Sequence, residues 1–124
     1  MQCPFCDPAT IVMGNDLWCA LEDRYPVSEG HLLVVPRRHV TDICELDAEE
    51  LGAMVPFIVD CVAEVRSATG CDGVNIGVNL GRAAGQTVPH LHVHVIPRNR
   101  GDVEEPKGGV RGVIPSKRGY DSPL

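Results

Sequence analysis

The chain has 124 residues, 44% of them hydrophobic, which is enough for one sizeable core but not for two. Its formal charge of -6 argues against a surface that binds a nucleic-acid backbone. No stretch approaches the ~18 consecutive apolar residues of a membrane span, and no secretory signal is recognisable, so we expect a cytoplasmic protein without membrane contact.

The first half of the chain is predicted to form a β-hairpin followed by a long helix. Residues 17–21 and 31–35 have the composition of two strands, with a turn at residues 26–30 between them. From Asp47 onward, apolar residues recur at spacings of three and four, as in an amphipathic helix. Asp47 and Glu50 suit its N-terminus as a capping box, and Gly70 suits its end. The apolar positions are Leu51, Met54, Val55, Ile58, Val62 and Val65.

The second half is predicted to add two strands and a tail. Residues 73–79 and 90–97 have strand character, and a glycine loop, LGRAAGQT, lies between them. Strands, one long helix and then strands again predict a single α+β domain over residues 1–124, with an antiparallel sheet packed against the helix. Residues 98–124 form its glycine-rich C-terminal tail, in which residues 98–118 hold six basic and three acidic side chains.

Three histidines occupy alternate positions of the last strand, in HLHVHVIP. Alternation places His90, His92 and His94 on one face of the strand, with Leu91 and the valines on the other. Packing gives no reason for such a row of titratable rings. Two chemistries fit it: a metal site, or a reaction centre in which one neutral imidazole is the nucleophile.

The glycine loop before these histidines offers groups that suit a phosphoryl ligand. Gly81 and Gly85 allow the backbone to approach a ligand closely, and Gln86 and Thr87 add an amide and a hydroxyl donor. A glycine loop alone is a weak signal and is more often a tight turn. Next to the histidines it favours phosphate chemistry.

The six cysteines are expected to be reduced thiols or metal ligands, because disulfides are rare in the cytoplasm. Cys3 and Cys6 form one C-x-x-C pair, which is compatible with a redox dithiol, a structural pair or half of a zinc site. Spacing alone does not identify further ligands. Cys61, on the apolar side of the helix, is expected in the core.

The stretch GQTVPHLHVHVIPR, residues 85–98, resembles the signature of the histidine triad (HIT) nucleotide hydrolases and transferases, in which three histidines alternate with apolar residues. DRYPVSEGHLLVVPRRH, residues 23–39, resembles the nucleotide-binding hairpin of that family, and the likeness extends over nearly the whole chain. The resemblance implies a HIT-like fold and a homodimer that pairs through the long helix and a sheet edge.

The resemblance also implies roles for individual residues. His92 would be the nucleophile and His94, with Thr87, would contact phosphate and assist the leaving group, while Gln86 would stabilise the phosphoryl charge. Asp23, otherwise an ordinary turn carboxylate, would bind the ribose hydroxyls between Leu21 and Leu33, which would flank the base. The nucleotide-binding set is then Leu21, Asp23, Leu33, Asn79, Gly85, Gln86, Thr87, His92 and His94.

A structural zinc follows from the same resemblance, because zinc-containing bacterial members pair a C-x-x-C with two histidines. The matching positions are Cys3, Cys6, His39 and His90, a closed set of four ligands. The other four cysteines match no ligand position.

The activity implied is hydrolysis of an adenine-type nucleoside or dinucleoside polyphosphate at its α-phosphate, through a covalent nucleotidyl-histidine, with release of a nucleoside monophosphate. We expect four tail cations to neutralise the polyphosphate: Lys107, Arg111, Lys117 and Arg118. The alternatives are a nucleoside phosphoramidase at the same site, a hydrolase whose catalytic metal is held by the three histidines, and a nucleotide-binding regulator without turnover.

Overall fold

A computed structural model describes residues 3–8 and 10–121 and has the predicted α+β architecture, a five-stranded antiparallel sheet packed against one long helix. The last three residues of the predicted tail, 122–124, lie outside the described residues. The elements are β1 (Met13–Gly14), β2 (Trp18–Glu22), β3 (Leu32–Pro36), α1 (Ala48–Thr69), β4 (Gly73–Val78) and β5 (Val93–Arg98). No helix within the described residues is long and apolar enough to cross a membrane.

The strand order is β1-β2-β3-β5-β4, so the last strand of the chain lies inside the sheet. Leu33 of β3 pairs with both Leu21 of β2 and His94 of β5, and His94 pairs in turn with Gly77 of β4. Directly paired residues share a face of a sheet. A row of leucine, leucine, histidine and glycine therefore crosses the sheet on the face opposite α1.

The helix begins and ends at the predicted residues. Asp47 accepts a hydrogen bond from the Glu50 amide at 2.8 Å, and Glu50 accepts one from the Asp47 amide at 2.9 Å. Gly70 closes the helix with a φ of 65°, a left-handed conformation that glycine adopts without strain. An N-cap side chain such as that of Asp47 stabilises a helix by about 1 kcal/mol.

The core lies between α1 and one face of the sheet. Trp18, Val34, Leu91 and Val95 are fully buried there, together with Cys61 of the helix, as predicted for that thiol. The other face carries a smaller apolar cluster of Cys19, Leu21, Leu33 and Val35. This second face is left open by the helix and is free to form a binding site.

Four details differ from the predictions. β5 begins at Val93 and not at residue 90, because the Leu91 amide donates to the Val40 carbonyl and not to a neighbouring strand, so His90 and His92 lie in the irregular segment before β5. Leu51 and Val55 are exposed, at 44% and 59% of their surface, because α1 turns Phe57, Cys61 and Val65 toward the core instead. The short strand β1 was not predicted, since two residues are too few for a detectable period. The tail contains two 3₁₀ turns, at Gly109–Val113 and Pro115–Lys117.

Candidate functional site

A cavity of about 910 Å³ opens on the face of the sheet opposite α1. Its floor is built from β2, β3 and the start of β5, and its rim from the turn after β2, the glycine loop and the N-terminal residues. It is lined by Pro4, Phe5, Pro8, Thr10, Leu21, Glu22, Asp23, Arg24, Tyr25, Pro26, Leu33, Asn79, Gly85, Thr87, Val88, His92 and His94.

His92 lies at the floor of this cavity, with only 7% of its surface exposed. Its Nδ1 donates a hydrogen bond to the His90 carbonyl at 2.9 Å. This bond places the ring proton on Nδ1 and leaves a lone pair on Nε2. A histidine held in this way can attack an electrophile without first losing a proton.

His94 is held by a histidine that sequence analysis did not identify, His31. The Val27 amide donates to Nδ1 of His31 at 3.2 Å, so the proton of the neutral His31 ring is on Nε2. That nitrogen lies 2.9 Å from Nδ1 of His94 and donates to it. Since Nδ1 of His94 is an acceptor, the single N–H of the neutral His94 ring is at Nε2, where it can donate to a ligand.

Burial keeps both rings of this pair in their neutral form. Burial lowers the pKa of His31, although the charge of the nearby Asp23 carboxylate acts to raise that pKa. Burial also lowers the pKa of His94, and the neighbouring His92 and His31 act in the same direction. The two adjacent rings of the triad, His92 and His94, thus present complementary groups, a lone pair and an N–H.

His90, the first histidine of the triad, belongs to a different site. Its Nε2 donates to the Pro36 carbonyl at 2.8 Å, and its Nδ1 lies 3.2 Å from the Cys3 sulfur. Cys6 lies 3.0 Å from Nδ1 of His39. One ligand atom from each of these four residues falls within 4.8 Å of all the others, so the cluster could bind a metal.

A metal-ligating histidine usually donates its second ring N–H to a carbonyl or carboxylate. His90 does so through Nε2 to the Pro36 carbonyl, which leaves Nδ1 free to coordinate. The described residues thus bring together the four ligands that the resemblance implied. No disulfide competes for them, since all six cysteines are free.

The three histidines do not form a metal site of their own. Nδ1 of His92 and Nδ1 of His94 are both occupied by hydrogen bonds, and His90 turns to the cysteines. A second cluster of possible ligands contains Asp23, His31 and His94. There the hydrogen bond between the two rings already uses the lone pair of His94 Nδ1 and places a proton on His31 Nε2, which argues against a cation between them.

Most of the predicted nucleotide-binding residues line the cavity. They are Leu21, Asp23, Leu33, Asn79, Gly85, Thr87, His92 and His94. Asp23 also accepts a hydrogen bond from the Tyr25 amide at 2.8 Å, which leaves its second oxygen 3.4 Å from His31.

Gln86 is the exception, because its side chain turns away from the cavity. Its amide nitrogen donates to the carbonyls of Thr41 and Val88, at 3.0 and 3.3 Å, and its oxygen accepts from the Gly81 amide at 2.8 Å. These bonds tie the glycine loop to the segment that precedes α1. Gln86 therefore shapes the loop and does not face the cavity.

The tail cations do not line the cavity of their own chain either. Arg111 and Lys107 lie over the ring of Tyr120, at 4.6 and 5.5 Å from its centroid, and Arg118 donates to the Glu105 carbonyl. The first 3₁₀ turn of the tail packs beside Asn75 on β4. The tail thus folds on itself at the β4 edge of the sheet.

Phe5 is a further cavity residue that sequence analysis missed. It lies between the two cysteines of the C-x-x-C pair, and its ring meets that of His92 edge-on at a centroid distance of 5.1 Å. It also packs on the apolar cluster of the open face. No sequence period marks a single aromatic residue in an irregular segment, so only the structure could reveal this contact.

The HIT domain family matches residues 6–101 of the sequence. The chain belongs to this family. An uncharacterized HIT-like protein of Methanocaldococcus jannaschii is 40% identical in an alignment of 114 positions that covers 87% of this chain and 88% of that protein.

Two HIT relatives have names that state an activity. AP-4-A phosphorylase of Mycobacterium tuberculosis is 37% identical over 74% of this chain and 48% of its own length. Adenylylsulfatase HINT3 of Arabidopsis thaliana is 35% identical over 82% of this chain and 54% of its own length. Both are longer proteins of which this chain matches about half.

Solved structures share the fold. A hypothetical histidine triad nucleotide-binding protein of Sulfolobus tokodaii has a TM-score of 0.75 at 34% identity, over 80% of this chain and 70% of that one. A zinc-bound histidine triad family protein of Mycobacterium smegmatis has a TM-score of 0.74 at 33% identity, over 83% and 79% of the two chains. The predicted family and the predicted fold are thus both confirmed.

Proposed function

We propose that this HIT protein hydrolyses nucleoside and dinucleoside polyphosphates at the α-phosphate, through a covalent intermediate on His92. The observation that carries the proposal is the hydrogen-bond arrangement of His92 and His94 at the cavity floor, from which the proton positions follow. His92 presents an unprotonated Nε2 because its Nδ1 proton is donated to the His90 carbonyl, and His94 presents an N–H beside it.

In the first step, Nε2 of His92 forms a bond to the α-phosphorus, and the bond from phosphorus to the leaving oxygen breaks. The remainder of the polyphosphate departs as an anion, stabilised by the Nε2–H of His94 and by Thr87. The ring now carries the nucleotidyl group on Nε2, retains its Nδ1 proton and is therefore cationic. The His90 carbonyl, 2.9 Å from Nδ1, stabilises this charge.

In the second step, water attacks the same phosphorus, and the nitrogen–phosphorus bond breaks. The electron pair returns to Nε2 of His92, one proton of the water is released, and a nucleoside monophosphate leaves. The positive charge on the ring makes His92 a good leaving group, so dividing the reaction into two steps lowers its overall barrier.

An adenine nucleotide is the substrate class that we propose. Leu21 and Leu33 form an apolar floor that suits a base, and Asp23 at the rim suits the ribose hydroxyls. The names of the relatives AP-4-A phosphorylase and adenylylsulfatase support an adenylyl group. In this arrangement Asn79 and Gly85 contact the phosphate side, and Gln86 holds the loop in place.

We also propose that the cluster of Cys3, Cys6, His39 and His90 holds one structural zinc. Two thiolates and two imidazoles are ligands that zinc prefers, and four protein ligands leave no open position for catalysis. The zinc-bound neighbour supports this assignment. Since such thiols must stay reduced, we place the protein in the cytoplasm.

A homodimer is the assembly that we propose, with α1 and β4 at its interface. Leu51, Val55 and Val59 are exposed at successive turns of α1, each with more than two fifths of its surface in solvent. Ile76 of β4 is 44% exposed, and β4 is an edge strand of the sheet. A second copy that covers this stripe would remove it from water.

A comparison of substrates tests the proposed activity. Native protein is incubated with diadenosine tetraphosphate or adenosine 5′-phosphoramidate, with and without a chelator, and AMP release is measured. The proposal predicts AMP from the tetraphosphate, and activity that survives chelation as long as circular dichroism shows a folded protein. Release from the phosphoramidate alone would make the protein a phosphoramidase. Loss of activity in a folded, chelated protein would favour catalysis by a metal, and AMP binding without turnover would favour a regulator.

A further inference from the structure

Residues 3–8, the N-terminal segment, form one wall of the nucleotide cavity but have few ties to the rest of the fold. Pro4, Phe5 and Pro8 from this segment line the cavity. Among the described residues, its hydrogen-bonding contacts are those of the thiols of Cys3 and Cys6 with the two histidines of the candidate metal site. Its remaining anchor is the packing of Phe5 on the open face.

Phe5 touches both sites at once. Its ring lies edge-on to His90 of the metal cluster, with centroids 5.9 Å apart, and edge-on to His92, with centroids 5.1 Å apart. Because Phe5 stands between Cys3 and Cys6, any group that binds both thiols also fixes the backbone on either side of the ring. Holding both cysteines therefore restrains the ring at its place beside His92.

We propose that metal occupancy controls nucleotide affinity in this protein, through Phe5. With the four ligands occupied, the N-terminal segment is fixed and Phe5 completes the wall of the cavity beside His92. Without the metal, only weak thiol–imidazole hydrogen bonds and the packing of one partly buried ring hold the segment, so the wall loosens and the cavity loses an apolar contact for the nucleotide. This inference rests on the proposed nucleotide site.

Thermodynamic linkage makes the proposal quantitative. If metal raises nucleotide affinity by some factor, nucleotide must raise metal affinity by the same factor. Couplings between two sites typically range from about 5-fold to 150-fold. We expect about tenfold here, because one aromatic side chain carries the effect.

The test is isothermal titration of AMP into zinc-loaded protein and into protein stripped by a chelator under reducing conditions. Native protein should bind AMP about tenfold more weakly without zinc. Phe5→Ala should bind weakly in both states, with less than about a twofold difference, because the coupling contact is gone. Tyr25→Ala is the matched control: Tyr25 lines the same cavity from the β2–β3 turn, so its loss should leave the tenfold ratio unchanged.

Two results would overturn the proposal: equal AMP affinity of native protein in both metal states, or an unchanged tenfold ratio in Phe5→Ala. If the stripped protein proves unfolded by circular dichroism, zinc release to a chromogenic chelator is measured instead. AMP should then slow zinc release from native protein and from Tyr25→Ala but not from Phe5→Ala, and equal slowing in all three would contradict the coupling. Failure of zinc-loaded native protein to bind AMP at all would contradict the nucleotide site itself, which is a separate result.

Discussion

Nε2 of His31 lies 2.9 Å from Nδ1 of His94 and joins the turn after β2 to the last histidine of the triad. Nδ1 of His31 accepts the Val27 amide, so the ring proton is on Nε2, and the nearer acceptor is Nδ1 of His94 at 2.9 Å, against 3.4 Å for the Asp23 carboxylate. One backbone amide thereby determines which nitrogen of His94 carries a proton. We regard His31 as a positioning residue, because it acts through His94 and does not line the cavity.

Replacement of His31 by Asn should slow the reaction most for substrates whose leaving group must be protonated. Without the donor on Nδ1, His94 can place its proton on the wrong nitrogen and no longer assist departure. We expect kcat to fall about 100-fold for a phosphoramidate, whose amine is a poor leaving group, and much less for a nucleoside p-nitrophenyl phosphate. Steady-state kinetics with both substrates checks this, and an equal loss for the two would contradict the positioning role.

The neutral state of this pair should make stability depend on pH. Burial lowers the pKa of His31 below its ordinary value of 6.5, so below that pH the unfolded chain binds a proton that the folded chain does not. The associated stability is complete above pH 6.5 and is lost as the pH falls toward the folded pKa. Urea unfolding of zinc-saturated protein should show a steeper loss between pH 7 and pH 5 for native protein than for His31→Asn. Identical slopes would mean that His31 is not buried as a neutral ring.

The buried carboxylate of Glu50 should contribute to stability through its charge. Only 3% of Glu50 is exposed, and Arg38 donates to it at 2.7 and 3.2 Å, contacts that lower the pKa of Glu50. Glu50→Gln keeps a capping residue but loses the ion pair, so it should cost about 1 to 2 kcal/mol in free energy of unfolding at pH 7.

The exposed neighbour Glu49 provides the control for this prediction, since Glu49→Gln should change stability by less than about 0.5 kcal/mol. Because the pKa of Glu50 is lowered, the advantage of native protein over Glu50→Gln should shrink as the pH falls below about 4.5. Denaturant titrations at pH 7 and pH 4 measure both effects. An advantage that grows on acidification would contradict the assignment.

The exposed apolar side chains of α1, Leu51, Val55 and Val59, should govern the oligomeric state. Val55→Lys puts a charge into the proposed interface, and sedimentation should show a monomer at concentrations where native protein is a dimer. Ser67→Lys adds the same charge to an exposed position on another side of the helix and should leave the dimer intact. A native protein that sediments as a monomer would remove the basis for the interface.

Local signals made much of the fold predictable from the sequence. The bounds of α1 follow from side chains that act on their own backbone, Asp47 with Glu50 at one end and Gly70 at the other. Strand composition and an intervening turn likewise predicted the hairpin, and the alternation of apolar residues predicted the inner face of β5. The exposure of Leu51 and Val55 was not predictable, because helical spacing shows that residues share a face but not whether that face meets the sheet or solvent.

The site was predictable where the family resemblance supplied positions, and only there. It placed Cys3, Cys6, His39 and His90 together, although the chain separates the cysteines from His90 by more than 80 residues. It did not reveal Phe5 or His31, whose roles depend on contacts formed only after folding. The side chain of Gln86 was expected at the phosphate, but three loop hydrogen bonds draw it elsewhere.

The central claim, covalent catalysis by His92, is tested most directly by intact-protein mass spectrometry after brief reaction with diadenosine tetraphosphate, with zinc content measured in parallel. Native protein should carry one adenylyl group, mapped to the peptide that contains His92. His92→Ala should show no adduct and no AMP release but an unchanged zinc content. An adduct or AMP release that persists in His92→Ala, or loss of the metal from that variant together with a native protein that never releases AMP, would contradict the claim.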